Sequence, residues 1–163
     1  MTRDQFEPIY NFLLEKRGRL KPFYVVLPQY KDPRTATNGS ISVQGTITSG
    51  DSNFLVDGMN SVSGGLRPGD MFNFVDSGNS NHHKIYKIVR VADSNNKLSS
   101  DTALNTSDER RLYVVPPVEK DVTDNSTLDY GSPLFRVVQK SDVQEYSLGT
   151  NNLYTFSLNL EEA

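Results

Sequence analysis

The chain has 163 residues, 36% of them hydrophobic, with 17 Lys and Arg against 20 Asp and Glu for a formal net charge of -3. That length holds one domain, or one small domain carrying a second inserted in it. The acidic balance argues against a general nucleic-acid binder, which neutralises phosphates with a basic face, and the 0 Cys exclude disulfides, thiolate zinc sites and a cysteine nucleophile.

The opening segment reads as a helix. Thr2 followed by Gln5 makes a capping box, and Phe6, Ile9, Tyr10 and Leu13 recur at helical spacing, with Phe12 and Leu14 widening the stripe. Lys16 and Arg17 complement the dipole of the last turn, and Gly18 supplies the stop. A helix of this kind needs a sheet beneath its apolar stripe.

After Gly18 the signal turns to strands. Residues 23–27 form a short β-rich run ended by Pro28. A weak alternation follows at Ile41, Val43 and Ile47, then 54–56 before the Asp57-Gly58 turn, where glycine tolerates positive φ. The turn 65–70 leads into a strand at 71–75. Over 84–91, Ile85, Val89 and Val91 share one face with Lys87, and Tyr86 and Ile88 share the other with Arg90. The polar stretch 93–108 is longer than most loops in compact domains and is expected to be mobile in the isolated subunit. Strands follow at 112–115 and 134–138, separated by a polar stretch at 120–132. The last strand has the cleanest pattern: Tyr154, Phe156, Leu158 and Leu160 alternate with Thr155, Ser157, Asn159 and Glu161.

The expected fold is mainly β with one N-terminal helix. A helix-on-antiparallel-sheet base, residues 1–36 and 118–163, carries an inserted small β-barrel at 37–117. No stretch approaches the roughly 20 apolar residues of a membrane-spanning helix. Residues 1–5 also lack the basic and then apolar run of a signal peptide.

No catalytic constellation stands out. His82 and His83 are adjacent, and strand neighbours point to opposite faces, so they are read as a polar turn and not as a shared metal site. The glycine-rich run 63–69 lacks the Gly-Lys-Ser/Thr ending of a phosphate loop and precedes a strand, so it reads as a turn. Asp121, Asp124, Asn125 and Asp129 could gather oxygens around calcium, but their spacing is not that of an EF-hand, and solvated loops explain them better. Nothing selects a carboxylate pair for glycoside hydrolysis from the 20 acids. No cofactor and no enzymatic activity are expected. Tyr30, Tyr130 and Tyr146 lie outside the regular strand faces, and tyrosine is enriched at the cores of subunit interfaces. With the basic pair Arg110 and Arg111, they make up the candidate assembly interface.

Several stretches together resemble tailed-bacteriophage tail proteins. They are the run from Met1 to Arg19, the strand Phe23-Tyr24-Val25-Val26-Leu27-Pro28, and the Leu66-Arg67-Pro68-Gly69-Asp70-Met71-Phe72 turn and strand. The likeness recurs at Lys84-Ile85-Tyr86-Lys87-Ile88 and Leu112-Tyr113-Val114-Val115-Pro116-Pro117, and in the closing stretches 142–149 and 153–163. The resemblance implies a virion structural protein of the distal tail or baseplate, assembled in the host cytoplasm. It also implies a ring of copies that contacts tube, hub and baseplate proteins, with no membrane or nucleic-acid partner. Members of that family carry further residues before the helix, which implies a shortened relative or a partial chain here. The alternative kept open is an OB-like small-barrel module binding carbohydrate or single-stranded nucleic acid, which calls for aromatics interleaved with Lys or Arg on one face. Tyr86 near Arg90 and Tyr113 near Arg111 are its candidates.

Overall fold

The computed structural model describes residues 1–32, 39–59, 65–93, 95, 97, 104, 109–141 and 145–163. They form a mainly β chain with one N-terminal helix and antiparallel sheets, divided into two compact units. One unit is Met1–Val25 with Phe135–Ala163; the other is Val26–Leu134.

In the first unit, helix α1 runs over Arg3–Lys16. Its start follows the sequence signature: the Gln5 side-chain oxygen accepts a hydrogen bond from the Thr2 backbone N–H at 3.1 Å. Its stop comes one residue earlier than the glycine suggested. Arg17 takes the left-handed conformation (φ 53°, ψ 52°) and returns its N–H to Leu14, with Gly18 continuing at φ 63°. That return leaves the Leu13 carbonyl without a helical donor, and the buried Gln139 amide donates to it at 2.7 Å.

Strands β1 (Phe23–Val26), β8 (Leu134–Gln139) and β11 (Leu160–Glu162) form a sheet in the order β1-β8-β11, with Leu160 opposite Gln139. Phe23 and Val137 bury their side chains with Leu13, and Val25, Phe135, Phe156, Leu158 and Leu160 pack around them. Of the expected apolar stripe on α1, only Phe6 and Leu13 are buried, two turns apart, while Ile9, Phe12 and Leu14 are exposed. The buried line is narrower than the stripe because this core is small.

The closing stretch is a correction to the sequence reading. It is two strands and not one: β10 (Tyr154–Phe156) pairs with β9 (Tyr146–Leu148), and β11 pairs with β8. The alternation of half-buried and exposed side chains nevertheless runs unbroken from Tyr154 to Leu160. Period two reports which face a side chain takes, not which strand its backbone bonds.

The second unit holds β2 (Ser42–Gln44), β3 (Asn53–Asp57), β4 (Met71–Val75), β5 (Tyr86–Ala92), β6 (Arg110–Val115) and β7 (Thr127–Asp129). They pair antiparallel in the order β2-β3-β6-β5-β4-β7, and β7 returns to β2 at Ser42 and Thr127. Alternate residues of these strands point into one core, among them Val43, Phe54, Val56, Phe72, Phe74, Ile88, Leu112, Val114 and Leu128. Val118, Val122 and Tyr130 join that core, and the unit runs from Val26 to Leu134. Between Ile88 and Arg90 a bulge breaks the expected alternation of β5, leaving Val89 exposed while Val91 packs against the core. At the Asp57-Gly58 turn Gly58 has φ 80°, and a Cβ there would lie 2.4 Å from the Ser40 carbonyl oxygen. Most of the stretch 93–108 lies outside the described residues, as do 60–64 and 142–144.

Candidate functional site

The most elaborate polar arrangement is buried in the second unit, at a residue the sequence reading treated as a turn. His82 is 3% exposed and packs against the rings of Phe74 and Tyr86. The Glu119 backbone N–H donates to the Tyr86 hydroxyl at 2.9 Å, and the hydroxyl lies 2.6 Å from His82 Nε2. The hydroxyl oxygen can accept a second hydrogen bond or donate its proton, so the tautomer of the imidazole sets the direction of its bond to Nε2. Nδ1 has no hydrogen-bond partner among the described residues. Burial lowers the His82 pKa and keeps the ring neutral, against the opposing pull of Glu119. No spacing marks this arrangement in the sequence, because Glu119 is 33 residues from Tyr86.

Asp76 is buried nearby in the chain and anchors a loop. Burial pushes its carboxyl up, but the Thr123 hydroxyl and N–H, the Gly78 N–H and the Ser126 hydroxyl together hold it below the ordinary carboxylate value. The acids read as possible calcium ligands do similar local work. Asp121 accepts from the Ser49 N–H, Asp124 from the Gly45 N–H and Asp129 from the Ser132 N–H. Among the described residues, no group of three or more His, Asp or Glu is placed to hold a metal ion.

Of the five residues of the candidate interface, Tyr30, Tyr130, Arg110 and Arg111 belong to the second unit and Tyr146 to the first. Tyr130 is in the core, and its hydroxyl donates to the Gly39 carbonyl, so it does not offer the surface ring expected of it. Its burial was hidden in a polar segment whose neighbours gave no alternation. Tyr30 and Tyr130 line a cavity of about 190 Å³ with Gln29, Asp32, Gly69, Asp70 and Met71. That is below the usual range for small-molecule sites, roughly 300–1,000 Å³. Arg110 and Arg111 lie on β6, the first bonding the Glu109 carbonyl at 2.7 Å and the second the Asn53 side chain at 2.8 Å. Tyr86, a candidate for the alternative binding face, is fully buried, whereas Arg90 sits 4.6 Å above the Tyr113 ring.

Tyr146 belongs to an aromatic cluster in the first unit. Its ring lies 5.1 Å from Phe6, 5.6 Å from Tyr10 and 5.8 Å from Tyr154, and Phe6 also stacks on Tyr154 at 4.6 Å. These rings join the β9–β10 hairpin to α1. Tyr146 is still 51% exposed and Leu148 is 54% exposed. No protein-family model matches the chain, and no curated protein matches it.

Proposed function

We propose that this chain is a structural subunit of a bacteriophage virion, in the distal tail or baseplate region, that acts by assembling with copies of itself and with neighbouring tail proteins. In this reading the first unit is a helix-on-sheet base and the second is an inserted small β-barrel. One observation carries the assembly part. Among the described residues, nine of the fourteen large apolar side chains left exposed lie in the first unit, which is only a third of the chain. They include Ile9, Phe12 and Leu14 on α1, Tyr24 on β1 and Tyr146 and Leu148 on β9. Apolar surface concentrated around so small a core is typical of a protein that completes its packing against partners. The placement in a phage tail rests on the sequence resemblance.

The second reading, a small-barrel binding module, is favoured by the Arg90–Tyr113 stack on β5 and β6, which a base or sugar ring could extend. Negative-stain microscopy of the purified chain, run beside glycan and oligonucleotide arrays, separates the two. Rings or particle-bound subunits support the tail reading. A monomer that binds the arrays, and loses binding on Tyr113→Ala, replaces it with the module.

A further inference from the structure

The β9–β10 hairpin has one backbone edge occupied and one open. On β10, the Met1 ammonium donates to the Tyr154 carbonyl at 3.0 Å, and the Tyr154 N–H donates to the Met1 carbonyl at 2.8 Å. Both polar groups of Tyr154 therefore point away from β9, which makes Tyr154 and Leu148 a non-hydrogen-bonded pair. The Gly149 N–H bond to the Leu153 carbonyl, one step along, fits the same phase. By alternation, Ser147 bonds inward to Thr155, while the N–H and C=O of Tyr146 and Leu148 face outward. Among the described residues nothing pairs with them, and all three residues of β9 are exposed.

The other sheet edges of this unit carry protection. Strand β1 is bracketed by Lys21, Pro22 and Pro28, and β11 carries Glu161 and Glu162. Strand β9 carries neither charge nor proline within it, and Glu145 before it is its one flanking charge among the described residues, though proteins that stay monomeric guard exposed edges with both.

We propose that the outer edge of β9 pairs antiparallel with β9 of a second copy of this chain, in a two-fold register centred on Ser147. Among registers confined to the three residues of β9, this one alone satisfies the outward groups of both Tyr146 and Leu148. Tyr146 of each copy faces Leu148 of the other as a hydrogen-bonded pair, so both residues' outward N–H and C=O groups are satisfied in both copies. An apolar cross-strand pair forms between the Tyr146 and Leu148 side chains, and Glu145 falls opposite Gly149, so no like charges meet. The result is a continuous sheet in the order β10-β9-β9-β10. This contact goes beyond a ring of head-to-tail copies, which does not need it.

Ser147 sits opposite its own equivalent in this register, at a non-hydrogen-bonded position where Cα atoms lie about 4.5 Å apart, within disulfide reach. The chain has 0 Cys, so Ser147→Cys introduces the only thiol. Thr155→Cys lies on the same face but three strand spacings from its equivalent, roughly 14 Å, and serves as the control. Under mild oxidation, Ser147→Cys is expected to form the cross-linked dimer at least about tenfold faster than Thr155→Cys, because only it meets disulfide geometry. Ser147→Lys places two ammonium groups face to face and is expected to weaken the dimer roughly fivefold by sedimentation equilibrium. Equal cross-linking rates for the two cysteine variants overturn the pairing. Rings seen by microscopy alongside equal rates overturn it while leaving the tail reading intact.

Discussion

Replacing Tyr86 with phenylalanine removes one oxygen from a fully buried ring and breaks two hydrogen bonds at once. The ring contacts with Phe72, Phe74 and His82 are kept, so the change isolates the hydroxyl. His82 Nε2 is then left buried without its hydrogen-bond partner, a loss that costs about 1–3 kcal/mol. The Glu119 N–H also loses its acceptor, at a partly buried bond, and adds to that cost. The expected loss is about 2 kcal/mol, or a fall in Tm of about 4–8 °C for a chain of this size. Urea unfolding followed by far-UV circular dichroism measures it. The double variant His82→Phe, Tyr86→Phe supplies the second arm. Replacing both partners with apolar rings removes the stranded ring nitrogen, so it should be less destabilised than the sum of the single changes by about 1 kcal/mol. A Tyr86→Phe protein within about 0.5 kcal/mol of the parent, or strictly additive single changes, refutes the reasoning.

Gly58→Ala forces a Cβ to 2.4 Å from the Ser40 oxygen at φ 80°, and should cost more than about 1 kcal/mol in the same unfolding assay. Gln139→Leu leaves the Leu13 carbonyl buried without a donor and should cost about 1–2 kcal/mol, read as faster amide exchange in the last turn of α1. The His82 pKa is lowered on folding, so the unfolded chain takes up its proton first as pH falls below 6.5, and stability should decline from there downward. Asp76 also has a lowered pKa; its contribution is present above 3.8 and is lost as pH falls through its depressed folded value. Thermal melts across this range should show both declines, and His82→Phe should remove the upper one alone.

What was legible in the sequence were the features carried by neighbouring residues. The capping box at Thr2 and Gln5, the Asp57-Gly58 turn, and the strands at 71–75 and 134–138 each rest on local spacing, and each is found in the structure close to where it was expected. What was hidden depends on distant contacts. Tyr130 reads as a surface ring until Gly39, 91 residues away, accepts its hydroxyl. The bulge between Ile88 and Arg90 inverts half of β5 without a glycine or proline to announce it. The split of the last alternating run follows from β9 and β8 competing for successive parts of one segment, which period two cannot register. The buried His82 is invisible for the same reason, since its partner hydroxyl is itself fixed from Glu119.

The central claim is that the exposed apolar surface of the first unit is there to be covered by other subunits. Native mass spectrometry of the purified chain over rising concentration tests it most directly. The expected spectrum shifts from the 18.3 kDa monomer to defined multiples of that mass as concentration increases. A single 18.3 kDa species persisting up to the solubility limit contradicts the claim.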